Sequence, residues 1–442
     1  MQATARRNIE LSLLILALIV GAGAMALVAL ARDSADVIEI APYLIVLGVV
    51  YVAAHIAMRK LAKQGDHMIL PLTAVLNILG LSAVYRLDAS QYGPSQLTWT
   101  ILGVALFVGT LAVVRDFRML ARFKYILGFV GVGLLLLPLA PGIGATINGA
   151  RLWVRAGPLS FQPGELAKLC LVIFFAAYLA ERKELLAIAS RRVAGLHFPD
   201  IKHFGPLLVM WGISLSVMFF EKDLGSSLLF FSIFIVMLYM ATARIAYVVV
   251  GGGLFAVGAM IGYTVFTHVQ DRVSVWFNVF DPKLVNDEGF QLAQSLFALA
   301  TGGLFGTGLG QGQPQRIPEA HTDFIFSVIG EELGLVGTTA VLLCFILLIA
   351  RGLRAALQSR DDFGQLLAAG LISIFALQSF IILGGVTRLL PLTGITLPFM
   401  SYGGSSLLSN YILMALLVRI SDQTTSEPDP AHTAEILVGG RR

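Results

Sequence analysis

Apolar runs of about 17 to 28 residues recur along this chain, and each is long enough for a helix to cross a bilayer. No other feature limits the fold as strongly. Taken as one soluble globule, the chain would lack polar residues to cover itself. Of its 442 residues 57% are hydrophobic, and only 13% are charged, about half the share of an ordinary soluble domain. A soluble enzyme and a disordered scaffold are excluded. A β-barrel is excluded as well, because its strands would alternate polar and apolar over short segments. What remains is an all-α polytopic membrane protein.

Twelve spans are expected, at about 9–31, 41–58, 68–86, 98–114, 125–141, 165–180, 205–220, 224–241, 244–266, 323–350, 365–387 and 400–419. The first is too long for the apolar core of a signal peptide and is read as a retained span. With a cytoplasmic N-terminus, 21 of the 31 Lys and Arg residues fall inside and 9 outside, with Lys168 within a span. That asymmetry places both termini in the cytoplasm. The net charge of +4 says nothing about nucleic acid. Cys170 and Cys344, the only two cysteines, lie in apolar runs and allow neither a disulfide framework nor a thiolate metal site. The longest segment outside the spans runs from about 267 to 322, on the outer side. Polar residues after Ser421 read as a disordered cytoplasmic tail.

Charge near a membrane span is costly and usually has a job. Four polar clusters therefore stand out. The first joins Asn148-Gly149-Ala150-Arg151-Leu152-Trp153 to Phe161-Gln162-Pro163-Gly164-Glu165 and Lys168. Pro163 and Glu165 suit a helix start. Lys168, one turn on, either pairs with Glu165 on the same face or forms an anion site. The second is Glu221-Lys222-Asp223-Leu224-Gly225, where a solvated turn is the simplest reading.

The outer segment supplies the third cluster, with Asp271, Arg272, Trp276, Asp281, Pro282, Asp287 and Glu288. It continues through a glycine-rich stretch to Glu319, His321 and Asp323. Those glycines lack the strand-loop-helix setting of a nucleotide fingerprint. The fourth cluster, Pro398 to Ser406, holds Ser401 and Tyr402 at the mouth of the last span, where small residues also let helices pack closely. Carboxylates suit acid/base work on a hydroxyl, and Arg and Lys suit phosphate. On chemistry alone, an enzyme acting on a lipid-linked phosphate and a transporter of an anionic substrate both fit.

In this order the clusters closely resemble the SEDS family (shape, elongation, division and sporulation), which includes RodA and FtsW. The matching stretches are NGARLW, FQPGELAK, EKDLGSS, FDP with GFQLAQS, GLGQGQPQRIPEAHTDFIFSVIGEELG and GITLPFMSYGGSSLL, spanning about 68 to 419. The resemblance implies a helical bundle with a ten-helix core at 63–420, preceded by an extra hairpin at 1–62 and followed by a tail at 421–442. It also implies a peptidoglycan glycosyltransferase of the bacterial cytoplasmic membrane. Such an enzyme polymerises lipid II at the outer face, beside a class B penicillin-binding protein.

By the same resemblance Asp281 is the base for the acceptor's 4-hydroxyl, with Asp287 as rival. Inversion at the anomeric carbon would give β-1,4 links and release a polyprenyl diphosphate. Lys168, Arg151 and Arg272 are the cations for that diphosphate, and Glu165, Glu319, His321, Asp323, Ser401 and Tyr402 shape the cavity. A divalent cation, Mg or Mn, could bridge Asp281 and the diphosphate, but no ligand spacing demands one. The short tail favours a RodA-like elongation role over an FtsW-like division role. A lipid II flippase and a recruiting scaffold are the alternatives from other classes. Arg151 sits one place before the arginine usual in the family, Leu152 takes that arginine's place, and Gly164 replaces the usual serine.

Overall fold

The computed structural model describes residues 2–32, 36–147, 150–156, 159–187, 191–193, 196–198, 205–220 and 223–426. Asn148, Gly149, Glu221 and Lys222, singled out in the sequence, lie outside the described residues, as does the tail from 427 onward. Residues 421–426, read as the start of a disordered tail, instead continue the last helix, with Ser421 and Asp422 buried. The chain opens with α1 (Gln2–Arg32), α2 (Asp36–Glu39), α3 (Ala41–Leu61), α4 (Ile69–Leu87), α5 (Tyr92–Val113), α6 (Met119–Arg122) and α7 (Lys124–Leu136). A small antiparallel sheet follows, of β1 (Gly144–Ile147), β2 (Ala150–Ala156) and β3 (Leu159–Phe161). Next come α8 (Pro163–Ala187), the hairpin of β4 (Arg191–Val193) and β5 (Leu196–Phe198), α9 (Gly205–Phe220), α10 (Leu224–Thr242) and α11 (Ile245–Val265). The remainder is α12 (Thr267–Asn278), α13 (Phe290–Gly302), α14 (Ile325–Gln358), α15 (Asp362–Val386) and α16 (Gly404–Ser426).

Ten described helices are long and apolar enough to cross a membrane: α1, α3, α4, α5, α8, α10, α11, α14, α15 and α16. The two other expected spans are shorter. α7 has 13 residues before a 3-10 turn, and α9 has 16. At about 1.5 Å per residue neither covers a hydrocarbon core of about 30 Å by itself.

The bundle has an inner and an outer set of helices. In α4, α8, α15 and α16 between 72 and 83% of the apolar window is buried, against 22 to 28% in α3, α11 and α14. The exposed faces carry Val249, Leu254, Val257, Met260 and Ile261 on α11, and Leu343 and Ile346 on α14. Such faces would be a liability in water and cost nothing in hydrocarbon. On α4, Gly80 lets the helix lie directly against the Met400 backbone, where a Cβ would come within 2.5 Å of the Met400 Cα.

Polar contacts sort the helix ends into two groups. At one end Arg7 pairs with Glu10 and reaches the Ala62 and Gly65 carbonyls. There Arg351 pairs with Asp66 at 2.8 Å, and Arg419 donates to the carbonyls of Leu61 and Val114 at 2.7 and 2.8 Å. At the opposite, loop-rich end Arg86 donates to the Gly310 and Gly312 carbonyls, and the Tyr402 N–H donates to the His321 carbonyl. These first-end contacts fall on residues read as inside, or at the inner ends of their spans, and those at the second on residues read as outside.

Two features escaped the sequence reading. About half of the long outer segment is helical, in α12 and α13, with residues 279–289 joining them as a run of turns. The three-stranded sheet is too short for its alternation to stand out from the flanking apolar runs.

Candidate active site

Buried charges in a bundle must be paired or they are not tolerated. On α8, Glu165 and Lys168 stand one turn apart. The Lys168 Nζ donates to Glu165 Oε1 at 2.9 Å and to Gln378 Oε1 of α15 at 2.9 Å. Gln378 Nε2 donates onward to the Thr396 carbonyl at 2.9 Å, and Ser409 Oγ of α16 donates to Glu165 Oε2 at 3.3 Å. Both charged side chains are at most one-tenth exposed, at 4% and 10%. Lys168 is thus compensated within the protein, the first of the two arrangements considered for it.

A second layer lies nearer the loop-rich surface. Asp223 caps α10 by accepting from the Ser226 N–H at 2.9 Å. Arg272 of α12 donates from Nη1 to the Leu392 carbonyl at 3.0 Å. Asp323 precedes α14, and Gly394, at φ +74°, lies beside both Asp323 and Arg272. A Cβ at Gly394 would sit 3.6 Å from Asp323 Oδ2 and 3.8 Å from Arg272 Nη2.

Burial sets the protonation of this layer. It raises Asp323 to about 6, with Glu319 adding and Arg272 opposing. It also raises Asp223, and it lowers Arg272 against the pull of Asp323 and Asp223. Beside Arg272 a cavity of about 90 Å³ opens, lined by Asp271, Glu288 and Gln291.

A stability consequence follows for Asp323. Its folded pKa exceeds the unfolded value near 3.8, so its contribution is fully present below that value and is lost as pH rises through about 6. Thermal melts between pH 4 and 7 should therefore show a downward slope that flattens in Asp323→Asn. An unchanged slope in that variant would exclude Asp323 as its source.

The segment carrying Glu319, His321 and Asp323 is fastened to the mouth of α16. Ser401 Oγ donates to the Thr322 carbonyl at 2.5 Å and accepts from the Leu397 N–H at 2.9 Å. Tyr402 holds the His321 carbonyl by its backbone, and the His321 ring stacks on Tyr92 of α5 at 4.2 Å. Burial lowers His321, with Glu319 and Asp88 opposing. Glu319 lies 3.8 Å away and adopts φ 53°, a left-handed conformation uncommon for such a residue. Ser401 and Tyr402 thus hold this segment by its backbone carbonyls, and the Tyr402 ring packs beside Tyr92 and His321.

Asp281 stands apart from both layers. It is exposed in the turn after α12, where Oδ1 accepts from the Lys283 N–H at 2.9 Å. Asp287 is exposed in the same turn, six residues on. Among the described residues no hydrogen bond or ion pair joins Asp281 to Lys168, Arg151 or Arg272. Arg151 on β2 donates to the Ala140 carbonyl at 3.0 Å and secures the segment after α7. Of the three candidate cations only Arg272 shares the outer segment with Asp281 and lines an open cavity. Among the described residues no three His, Cys, Asp or Glu side chains form a group that could hold a metal ion.

Gln378 and Ser409 were missed, and so was a buried cluster in α14. There Glu332 pairs with Arg86 Nε at 3.3 Å and accepts from the Gly310 N–H at 2.9 Å, while Glu331 accepts from the Gln313 N–H at 3.0 Å. These bonds staple the glycine-rich stretch to α14, which breaks at Gly334 (φ 65°). Two glutamates inside an apolar run were the available signal.

Comparison with known proteins gives concordant results. A family model described as a cell cycle protein, covering FtsW, RodA and SpoVE, matches residues 64–426. The peptidoglycan glycosyltransferase RodA of Mycobacterium tuberculosis is 47% identical over 427 residues, spanning 94% of this chain and 90% of that protein. The crystal structure of the rod shape determining protein RodA of Thermus thermophilus superposes with a TM-score of 0.58 at 27% identity, covering 82% of this chain and 98% of that one. A chain from a study of how a peptidoglycan synthase complex coordinates polymerization and crosslinking gives 0.64 at 25% identity, covering 82% and 99%.

Proposed function

Because the chain belongs to the FtsW, RodA and SpoVE cell cycle protein family, we propose a specific course for its reaction, with Asp281 as base. It is a multi-pass membrane protein and a peptidoglycan glycosyltransferase that polymerises lipid II, RodA-like in its role in cell shape. The observation that carries this activity is 47% identity to a RodA glycosyltransferase across nearly the whole of both chains.

The course of the reaction starts from the exposed carboxylate at the loop-rich end. Asp281 takes the proton from the acceptor sugar's 4-hydroxyl as that oxygen attacks the donor's anomeric carbon. The bond to the diphosphate breaks with inversion, a β-1,4 link forms, and the polyprenyl diphosphate leaves. Positive charge near the leaving group lowers the barrier. Arg272 is the cation best placed to supply it, since Lys168 is already paired with Glu165 and Arg151 is turned to the Ala140 carbonyl. Were a divalent ion to take part, Asp281 is the residue that would hold it, and it would neutralise charge on the leaving diphosphate.

The loop-rich end faces the outside of the bacterial cytoplasmic membrane, with both termini in the cytoplasm, in line with the excess of Lys and Arg at the other end. A class B penicillin-binding protein is the partner that fits, given the likeness to a chain of a peptidoglycan synthase complex. The hairpin of α1 and α3 precedes the family match and meets the core where α1 packs on α4 and Arg7 reaches the Gly65 carbonyl. The test is incubation of the purified protein, alone and with such a partner, with lipid II. Glycan strands sensitive to a muramidase are expected. Movement of lipid II across liposomes without new glycosidic bonds would support transport instead.

A further inference from the structure

A helix leaves its last four carbonyls without intrahelical partners. At the C-terminal end of α12 these groups are met in an unusual way. The Asp281 N–H takes the Asn278 carbonyl at 2.9 Å. The Trp276 and Phe277 carbonyls accept from one guanidinium, that of Arg388, through Nε at 2.7 Å and Nη2 at 2.6 Å. The contact is reciprocal, since Trp276 Nε1 donates to the Arg388 carbonyl at 3.2 Å.

Arg388 lies in the linker between α15 and α16, 112 residues from Trp276 in the chain. It holds a left-handed backbone at φ 60°, which costs a residue with a long side chain free energy that its surroundings must supply. A cation at a helix C-terminus is also favoured by the helix dipole. One turn earlier Arg272 donates to the Leu392 carbonyl, so the linker grips α12 at two levels.

We propose that Arg388 is a positioning residue for Asp281. Its guanidinium locks the end of α12 to the α15–α16 linker and so fixes where the following turn presents its carboxylate. Asp281 lies three residues past the end of α12, and its only described side-chain bond is to Lys283 within its own turn. Val279 is fully buried just before the turn and Phe280 rests on Phe297 of α13 at 5.7 Å, so the turn is also held by its apolar residues and the guanidinium adds the polar hold on the helix end. This role rests on Asp281 being the base, as set out above. Arg388 itself acts through backbone carbonyls and touches no reacting group.

The test compares Arg388→Gly, which keeps the left-handed backbone at no steric cost, with Arg388→Lys, which keeps the charge. Purified full-length protein with lipid II gives kcat and KM. Spin labels on Gln91→Cys and Lys283→Cys, with Cys170 and Cys344 replaced by alanine, give the distance distribution between the turn and the residue that precedes α5. Arg388→Gly should lower kcat about tenfold with KM within about twofold, and should broaden the distribution. Arg388→Lys should recover most of both.

An unchanged distribution in Arg388→Gly overturns the clamp. A broadened distribution with wild-type kcat, where Asp281→Ala is inactive, overturns the positioning role alone. Wild-type activity of Asp281→Ala overturns the base assignment, and with it the role of Arg388 toward that residue.

Discussion

Asp281→Ala should abolish formation of glycan strands, with a fall of at least about a hundredfold in the polymerisation rate. The protein should remain folded, because the side chain is exposed and its one bond closes a local turn. Surface substitutions of this kind usually change stability by less than about 0.5 kcal/mol. Asp281→Asn should behave alike, since an amide fills the same space and cannot take a proton. Gel analysis of strands from lipid II, with melting curves alongside, reads both effects. Full activity in Asp281→Asn combined with loss in Asp287→Asn would move the base six residues along the turn.

The largest expected effect on stability falls on Lys168. Removing it by Lys168→Ala leaves the Glu165 carboxylate buried with Ser409 as its one donor among the described residues. Breaking a buried pair on one side costs about 3–5 kcal/mol, whereas removing both charges costs much less. The double variant Lys168→Met with Glu165→Gln should therefore melt well above Lys168→Ala. Should Lys168→Ala keep the wild-type melting temperature and lose activity, the lysine would serve the substrate's charge instead of the bundle.

The spans were legible because a bilayer demands length and hydropathy, which any stretch of sequence displays locally. Loop charge was legible for the same reason. α7 and α9 show where that logic thins, since apolar composition marks a membrane segment without fixing how much of it is helical. The Asp-Pro pair after α12 was singled out within a polar segment, but neither the turn there nor α12 and α13 on either side of it was read from the sequence.

What stayed hidden was pairing over long distances in the chain. Nothing near Lys168 in the sequence points to Gln378, and nothing near Trp276 points to Arg388. The same holds for Arg86 and Glu332, whose contact decides how the glycine-rich stretch lies on α14. Local patterns specify elements, while these bonds depend on which helices the bundle brings together.

The account depends most on the side of the membrane that carries the turn after α12. Lys283→Cys, in a background with Cys170 and Cys344 replaced, can be probed in intact cells with a membrane-impermeant maleimide. Labelling from outside, before any permeabilisation, is the predicted result. Labelling only after the cytoplasmic side is opened would put Asp281 out of reach of substrate displayed outside, and would contradict the proposed course of the reaction.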